Sequence, residues 1–222
     1  MKVILFGSTG MIGQGVLLAC LENKKVESIL VINRRSHNKN HPKLKEIILT
    51  DLFDLSGITT ELEMYDCCFF CLGVSSNGLS YEAYKRITYD LTIYVAETLL
   101  KINPKMTFSY ISGAGTDSSE KGRMMWARVK GKTENTLLSM PFMKAYMFRP
   151  GFIQPKNGIR SSTKIYNIMY AFFKPFYFAL KHFRSFVTDT ETLGKAMIAV
   201  AFMQSDKNIL ESVDINKLGR NV

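Results

Sequence analysis

A chain of 222 residues with 46% hydrophobic content can bury a core without disulfides or metals, and it suits one domain carrying a modest appended lobe. Its formal charge of +10 favours anionic partners such as phosphates, nucleic acid or an acidic membrane surface, but bears on association rather than on fold. The apolar run at residues 3–6 is too short for a secretory signal, and Cys20, Cys67, Cys68 and Cys71 fall in apolar stretches; no oxidising compartment is implied, and a cytoplasmic protein is expected.

Residues 2–6 read as a strand and residues 11–23 as a helix, with Gly7, Ser8, Thr9, Gly10, Met11, Ile12 and Gly13 forming the turn and first helical residues between them. In a strand–turn–helix of this kind the first glycine allows a sharp turn, the second lets the backbone approach a pyrophosphate, and the third lets helix and strand pack closely. The N–H groups and partial positive charge of the helix end then suit phosphate. The spacing, Gly-x-x-Gly-x-x-Gly, is less common than Gly-x-Gly-x-x-Gly, so the flanking strand and helix carry the argument.

Residues 28–32 supply a second strand. Where a carboxylate would grip the ribose 2′-hydroxyl, the chain has Asn33-Arg34-Arg35 with no acid in reach. Two guanidiniums suit a 2′-phosphate, which favours NADP over NAD; solvated loop charges are the alternative. A third strand at 47–50 leads to Asp51 and Leu52, expected near the adenine. A fourth at 67–72 is wholly apolar, hence buried on both faces, and ends at Leu72-Gly73. Within it Cys68 and Cys71 spell Cys-x-x-Cys, but strand alternation sends their sulfurs to opposite faces, and no metal site is expected. His37 and His41 sit in a sequence typical of loops.

An apolar stripe through Ala83, Ile87, Leu91, Tyr94, Val95 and Leu99 predicts a helix over 80–100. A fifth strand at 106–112 ends in Ser112-Gly113-Ala114-Gly115. A helix over 121–138 follows, N-capped by Ser118 or Ser119, and then a sixth strand at Lys144–Arg149 stopped by Pro150-Gly151. Six strands alternating with helices predict a doubly wound parallel α/β sheet of Rossmann type in a single domain over 1–222. Residues 151–190 are expected to form a small helical C-terminal lobe. From 156 to 188 there are six Lys or Arg and no acid, and 166–186 holds nine aromatics. The apolar run is split at Lys174-Pro175, short of the ~18–20 residues that span a bilayer. A lid over the substrate, a homodimer interface and a peripheral membrane contact through 164–187 remain open. A helix over 188–203, capped by Asp189 or Thr190, and a short apolar piece at 209–213 close the chain. No exposed recognition helix or stacking platform is identifiable, so nucleic acid is not an expected partner.

Together the Gly7/Gly10/Gly13 turn, the Arg pair, Asp51, Leu72-Gly73, the Ser112 stretch, Lys130 and Arg149-Pro150-Gly151 resemble the extended and atypical branch of the short-chain dehydrogenase/reductases. That branch includes NAD-dependent epimerase/dehydratase-like and Tat-interacting oxidoreductase-like proteins. The resemblance implies a nicotinamide cofactor across the strand ends and a Ser–Tyr–Lys catalytic set, with Ser112 and Lys130 as the matching Ser and Lys. In that set the phenol transfers a proton, the Lys lowers its pKa and holds the nicotinamide ribose, and the Ser orients the substrate. Here the Tyr-x-x-x-Lys place reads Trp126-Ala127-Arg128-Val129-Lys130. An indole N–H donates a hydrogen bond but gives up no proton at working pH, which puts ordinary carbonyl reduction in question. Tyr81, Tyr84 and Tyr110 are substitutes without the Lys spacing. Two readings follow: an NADP(H)-dependent oxidoreductase or epimerase-like enzyme on a small-molecule substrate, or a non-catalytic NADPH-binding protein that uses its basic aromatic lobe to meet a partner. Ser112 also suits a strand terminator, and Lys130 a solvent-facing helical residue.

Overall fold

The computed structural model describes residues 1–36, 39–159, 186–203 and 205–220. Seven strands pair in parallel: β1 (Lys2–Phe6), β2 (Ser28–Asn33), β3 (Leu44–Ile48), β4 (Cys67–Phe70), β5 (Thr107–Ile111), β6 (Lys144–Arg149) and β9 (Ile209–Glu211). Their order is β3-β2-β1-β4-β5-β6-β9. The order reverses between β1 and β4, so the crevice of a doubly wound sheet opens at the carboxyl ends of these two strands. Between β6 and β9, a short parallel pair, β7 (Phe152–Gln154) with β8 (Val187–Asp189), forms a second sheet.

Both faces of the main sheet are covered, which explains why its central strands are continuous apolar runs. Along β1, Val3 and Leu5 face α1 (Met11–Glu22) and α6 (Thr190–Met203), whereas Ile4 and Phe6 face the opposite core with Leu99 and Leu137. Phe70 lies at the centre of that second core, its ring 5.5 Å from Phe6 and 6.1 Å from Phe108. Helices α1 and α6 meet through small residues. A Cβ on Gly15 would sit 2.4 Å from the Thr190 Cβ, and one on Gly194 would sit 2.7 Å from the Ala19 Cβ. Asp189 caps α6 by accepting the Thr192 N–H at 2.7 Å.

Several boundaries differ from the sequence reading for identifiable reasons. The third strand is Leu44–Ile48 rather than 47–50, because an edge strand tolerates Lys45 and Glu46 where a buried apolar run was sought; a short helix, α2 (Thr59–Leu62), follows it. The helix expected over 80–100 is α3 (Tyr81–Lys85), a π-turn (Arg86–Asp90) and α4 (Leu91–Ile102). The wider turn rotates the inward face, so Tyr84 and Thr88 are buried in place of Ala83 and Ile87. Helix α5 runs over Met125–Ser139, four residues later than its expected start, and has no side-chain cap. Ser119 turns instead toward Asp117, which accepts its N–H at 3.0 Å and its hydroxyl at 2.6 Å. The piece at 209–213 proves to hold the seventh strand and the start of α7 (Ser212–Leu218). Most of the 151–190 lobe, including nearly all of the 164–187 stretch and His37 elsewhere, lies outside the described residues. No described helix is long and apolar enough to cross a membrane.

Candidate functional site

The glycine turn closes over the end of β4. Gly7 has φ +79°, and a Cβ there would lie 2.6 Å from the Leu72 nitrogen; a Cβ on Gly13 would lie 2.1 Å from the Gly7 oxygen. Both positions are glycine because protein backbone fills the space. Gly10 differs: its Cβ would meet only the Gly7 oxygen, at 3.4 Å, and a Cβ on Gly73 would meet nothing within 4 Å. The fold does not require glycine at these two positions, whereas a ligand backed against them would. Gly10 also precedes α1, whose first turn carries neither a side-chain cap nor an acid, so its partial positive charge is left for an anion. Donors and space here fit a dinucleotide's pyrophosphate.

The other expected cofactor residues divide into those facing outward and those that brace the turn. Thr9, Arg34, Arg35, Asp51 and Gly73 are exposed, while Met11, Ile12 and Leu72 are half-buried. Ser8 is buried and donates its hydroxyl to Asn33 Oδ1 at 2.9 Å, tying the glycine turn to the end of β2. Asn33 in turn donates to Glu46 Oε1 at 2.9 Å, and Ser36 donates to Glu46 Oε2 at 2.5 Å. The expectation of no acid near the ribose loop is therefore corrected: Glu46 arrives from β3, a strand whose register sequence spacing did not reveal. Asp51 makes a local turn by accepting the Phe53 N–H at 2.8 Å, and Leu52 belongs to the core. Pro150 and Gly151 act as a tether. Pro150 accepts the Ala114 N–H at 2.9 Å, Gly151 donates to Ser212 Oγ at 2.8 Å, and a Gly151 Cβ would lie 2.4 Å from the Phe186 oxygen.

At the end of β5 the chain gathers a polar cluster. Lys130 donates its ammonium to the Ser112 carbonyl. The buried Ser112 hydroxyl lies 2.5 Å from Glu134 Oε1 and 3.0 Å from the Phe148 carbonyl oxygen, so its single proton already faces two acceptors. Glu134, fully buried on α5, is clasped by Arg149, whose Nε lies 3.0 and 3.1 Å from the two carboxylate oxygens. A second nitrogen of Arg149 bonds both Glu134 and, at 2.5 Å, Ser118 Oγ. Burial pushes the Lys130 amine down to about 8, and the Glu134 charge opposes that shift. Hydrogen bonding to Glu134 raises the Arg149 guanidinium. Sequence reading missed Glu134; its signal was the spacing to Lys130, one helical turn away.

Trp126 is half-buried, and its ring edge would be 3.5 Å from a Cβ on Gly115, which has φ +84°. Among the described residues, Tyr81, Tyr84 and Tyr110 do not take the place of the phenol that the resemblance implies. Tyr110 and Tyr84 are each 1% exposed and face the core, where burial raises both phenols. Tyr81 is exposed on α3, and no hydrogen bond draws it toward Lys130 among the described residues. Cys68 lies in one core and Cys71 against the other, as strand alternation requires, and burial raises both thiols.

Comparison with known proteins bears on both fold and compartment. The fmp52-2 mitochondrial protein of Aspergillus oryzae is 25% identical over 226 residues, covering 98% of this chain and 96% of its own. That of Neosartorya fischeri is 26% identical over 227 residues, covering 98% and 95%. The cytoplasmic expectation is corrected by these names, which point to a mitochondrial compartment. Among solved structures, the Bordetella bronchiseptica enzyme WbmF in complex with NAD+ superposes with a TM-score of 0.70 at 15% identity, covering 100% of this chain and 79% of that one. A short chain dehydrogenase family protein from Francisella tularensis gives 0.61 at 14% identity, covering 98% and 94%. Residues 3–123, which carry the glycine turn, the β2 end and the β4 and β5 ends, match the sequence model of the NAD dependent epimerase/dehydratase family, and the chain belongs to that family.

Proposed function

We propose that the chain binds NADP(H) across the ends of β1, β4 and β5 and acts as an oxidoreductase or epimerase-like enzyme on a small carbonyl or alcohol substrate. The observation that carries this reading is the contrast among the glycines: Gly7 and Gly13 are filled by backbone, while Gly10 and Gly73 leave room on the crevice side. The NAD+ complex of the similarly folded WbmF supports a nicotinamide dinucleotide. The exposed guanidiniums of Arg34 and Arg35 favour the 2′-phosphate form, and Glu46, engaged by Asn33 and Ser36, holds their loop.

A bound nicotinamide supplies or accepts hydride. The chain's part is to bind, orient and handle the proton. Lys130 Nζ holds a proton close to neutral pH and is the group suited to exchange it, directly or through water, since the Trp126 indole can only donate a hydrogen bond. Leu72, half-buried just past β4 with its nitrogen close against Gly7, borders the crevice. The second reading, a cofactor-binding protein without turnover, is favoured by the Ser112 hydroxyl, whose proton is engaged within the protein. Its partner surface would be the basic aromatic stretch at 156–188.

Titration with NADPH and NADH, followed through quenching of the sole tryptophan, tests the binding reading. NADPH is expected to quench Trp126 and to bind more tightly than NADH, with the preference lost in Arg34→Ala. No binding of either nucleotide sinks it. NADPH oxidation with small carbonyls, abolished by Lys130→Ala, separates enzyme from binding protein.

A further inference from the structure

We infer that the buried chain Arg149–Glu134–Ser112 is a positioning device for Lys130, with Glu134 setting the charge of the amine and Ser112 serving as an internal brace that makes no contact with substrate. The inference takes the Lys130 role from the reading above, but it concerns the protein's own residues and is tested without cofactor.

Three observations support it. First, Ser112 offers Lys130 its backbone carbonyl while its side chain turns the other way, to Glu134 Oε1 and the Phe148 carbonyl. One residue thus connects the amine on the second turn of α5 with a carboxylate one turn further on. Second, Glu134 is 0% exposed, and a carboxylate so placed is tolerated only if its charge is paired and its lone pairs are satisfied. Arg149 and Ser112 do both, drawing on β6, β5 and α5 together. Third, the loop between β5 and α5 is locked from its other end: a Cβ on Gly131 would lie 1.8 Å from the Asp117 oxygen, and Arg149 reaches Ser118 Oγ. Ser112 therefore cannot drift without disturbing α5.

Among the described residues, Glu134 is the charge acting on Lys130. Arg149 from β6 faces Glu134; Tyr110 from β5 is influenced by Glu134 and by Tyr84 from α3. Replacing Glu134 with the isosteric amide keeps the volume and an acceptor for Ser112 but removes the charge.

The test is competitive labelling of the full-length, cofactor-free protein with a trace of isotopically labelled acetic anhydride across the neutral to alkaline range. The Lys130 peptide is read by mass spectrometry, with Lys132 on the same helix as the rate standard. In Glu134→Gln the Lys130 midpoint is expected to fall, so that labelling near neutral pH rises about three- to tenfold, the equivalent of half to one pKa unit. A purely structural ion pair would lower thermal stability and leave the midpoint where it was; that outcome overturns the inference. Should Glu134→Gln fail to fold, Ser112→Ala carries the test. With one hydrogen bond to the carboxylate removed, its field at Lys130 strengthens and the midpoint rises; an unchanged midpoint overturns the inference equally. If wild-type protein binds neither NADPH nor NADH, the functional reading falls, while the labelling result stands on its own.

Discussion

At Trp126 the chain has an indole at the place where the resemblance to short-chain dehydrogenases implies a phenol, four residues before a lysine that is held by the Ser112 carbonyl. The geometry that would activate a phenol survives: Lys130 is anchored to the Ser112 carbonyl and has a lowered pKa. Trp126→Tyr is therefore expected to raise NADPH-dependent carbonyl turnover by about a hundredfold, a usual contribution of a placed acid; steady-state kinetics with wild type and variant in parallel will show it, and no gain would mean that the ring at this position does not reach the substrate. Lys130 also predicts a pH dependence of stability. Its folded value of about 8 lies below its ordinary 10.5, so between these pH values the unfolded chain binds the extra proton. Stability from this group therefore rises with pH across that window, the reverse of a salt-bridged lysine. Urea denaturation of wild type against Lys130→Met should show the wild type gaining relative stability as pH increases from about 8 to 10.5.

At the scale of elements, the strand–turn–helix from β1 to α1 has two kinds of glycine, and substitution should separate them. Gly13→Ala forces a Cβ to 2.1 Å from the Gly7 oxygen and is expected to cost about 1–3 kcal/mol, seen as a lower Tm. Gly10→Ala meets only one atom, at 3.4 Å, and should leave Tm nearly unchanged while sharply weakening NADPH binding. If Gly10→Ala bound NADPH as wild type does, the pyrophosphate assignment would be wrong. The α3–α4 segment shows where periodicity alone misleads. A stripe drawn at 3.6 residues per turn selects Ala83 and Ile87, yet the π-turn at Arg86–Asp90 moves the buried face to Tyr84 and Thr88. Similarly, the turn formed by Asp117, Ser119 and Gly122 absorbs residues that read as helix, because Asp117 offers the backbone a competing set of acceptors.

For the molecule as a whole, the crevice lies where two halves of the sheet meet, so a ligand bound there should stabilise the entire fold by mass action. NADPH at about a hundred times its Kd should add ~2.7 kcal/mol, raising Tm by about 5–10 °C for a chain of this size. Differential scanning calorimetry with NADPH and with NADH measures both the effect and the preference, and equal shifts would remove the NADP assignment from Arg34 and Arg35.

Residue type and order alone determined the Rossmann architecture, the glycine turn and the position of Lys130, because continuous apolar strands, helical stripes and glycines impose their geometry locally. They also set Trp126 four residues before Lys130, since such a spacing is local to one helix. Tertiary structure alone decided what stands beside these residues. Glu46 reaches Asn33 only through the pairing of β3 with β2, and Glu134 meets Arg149 and Ser112 only because α5 packs against the ends of β5 and β6. The same packing turned the Ser112 side chain toward Glu134 and the Phe148 carbonyl. Such contacts join residues 13 to 36 positions apart, a distance over which spacing carries no geometric information.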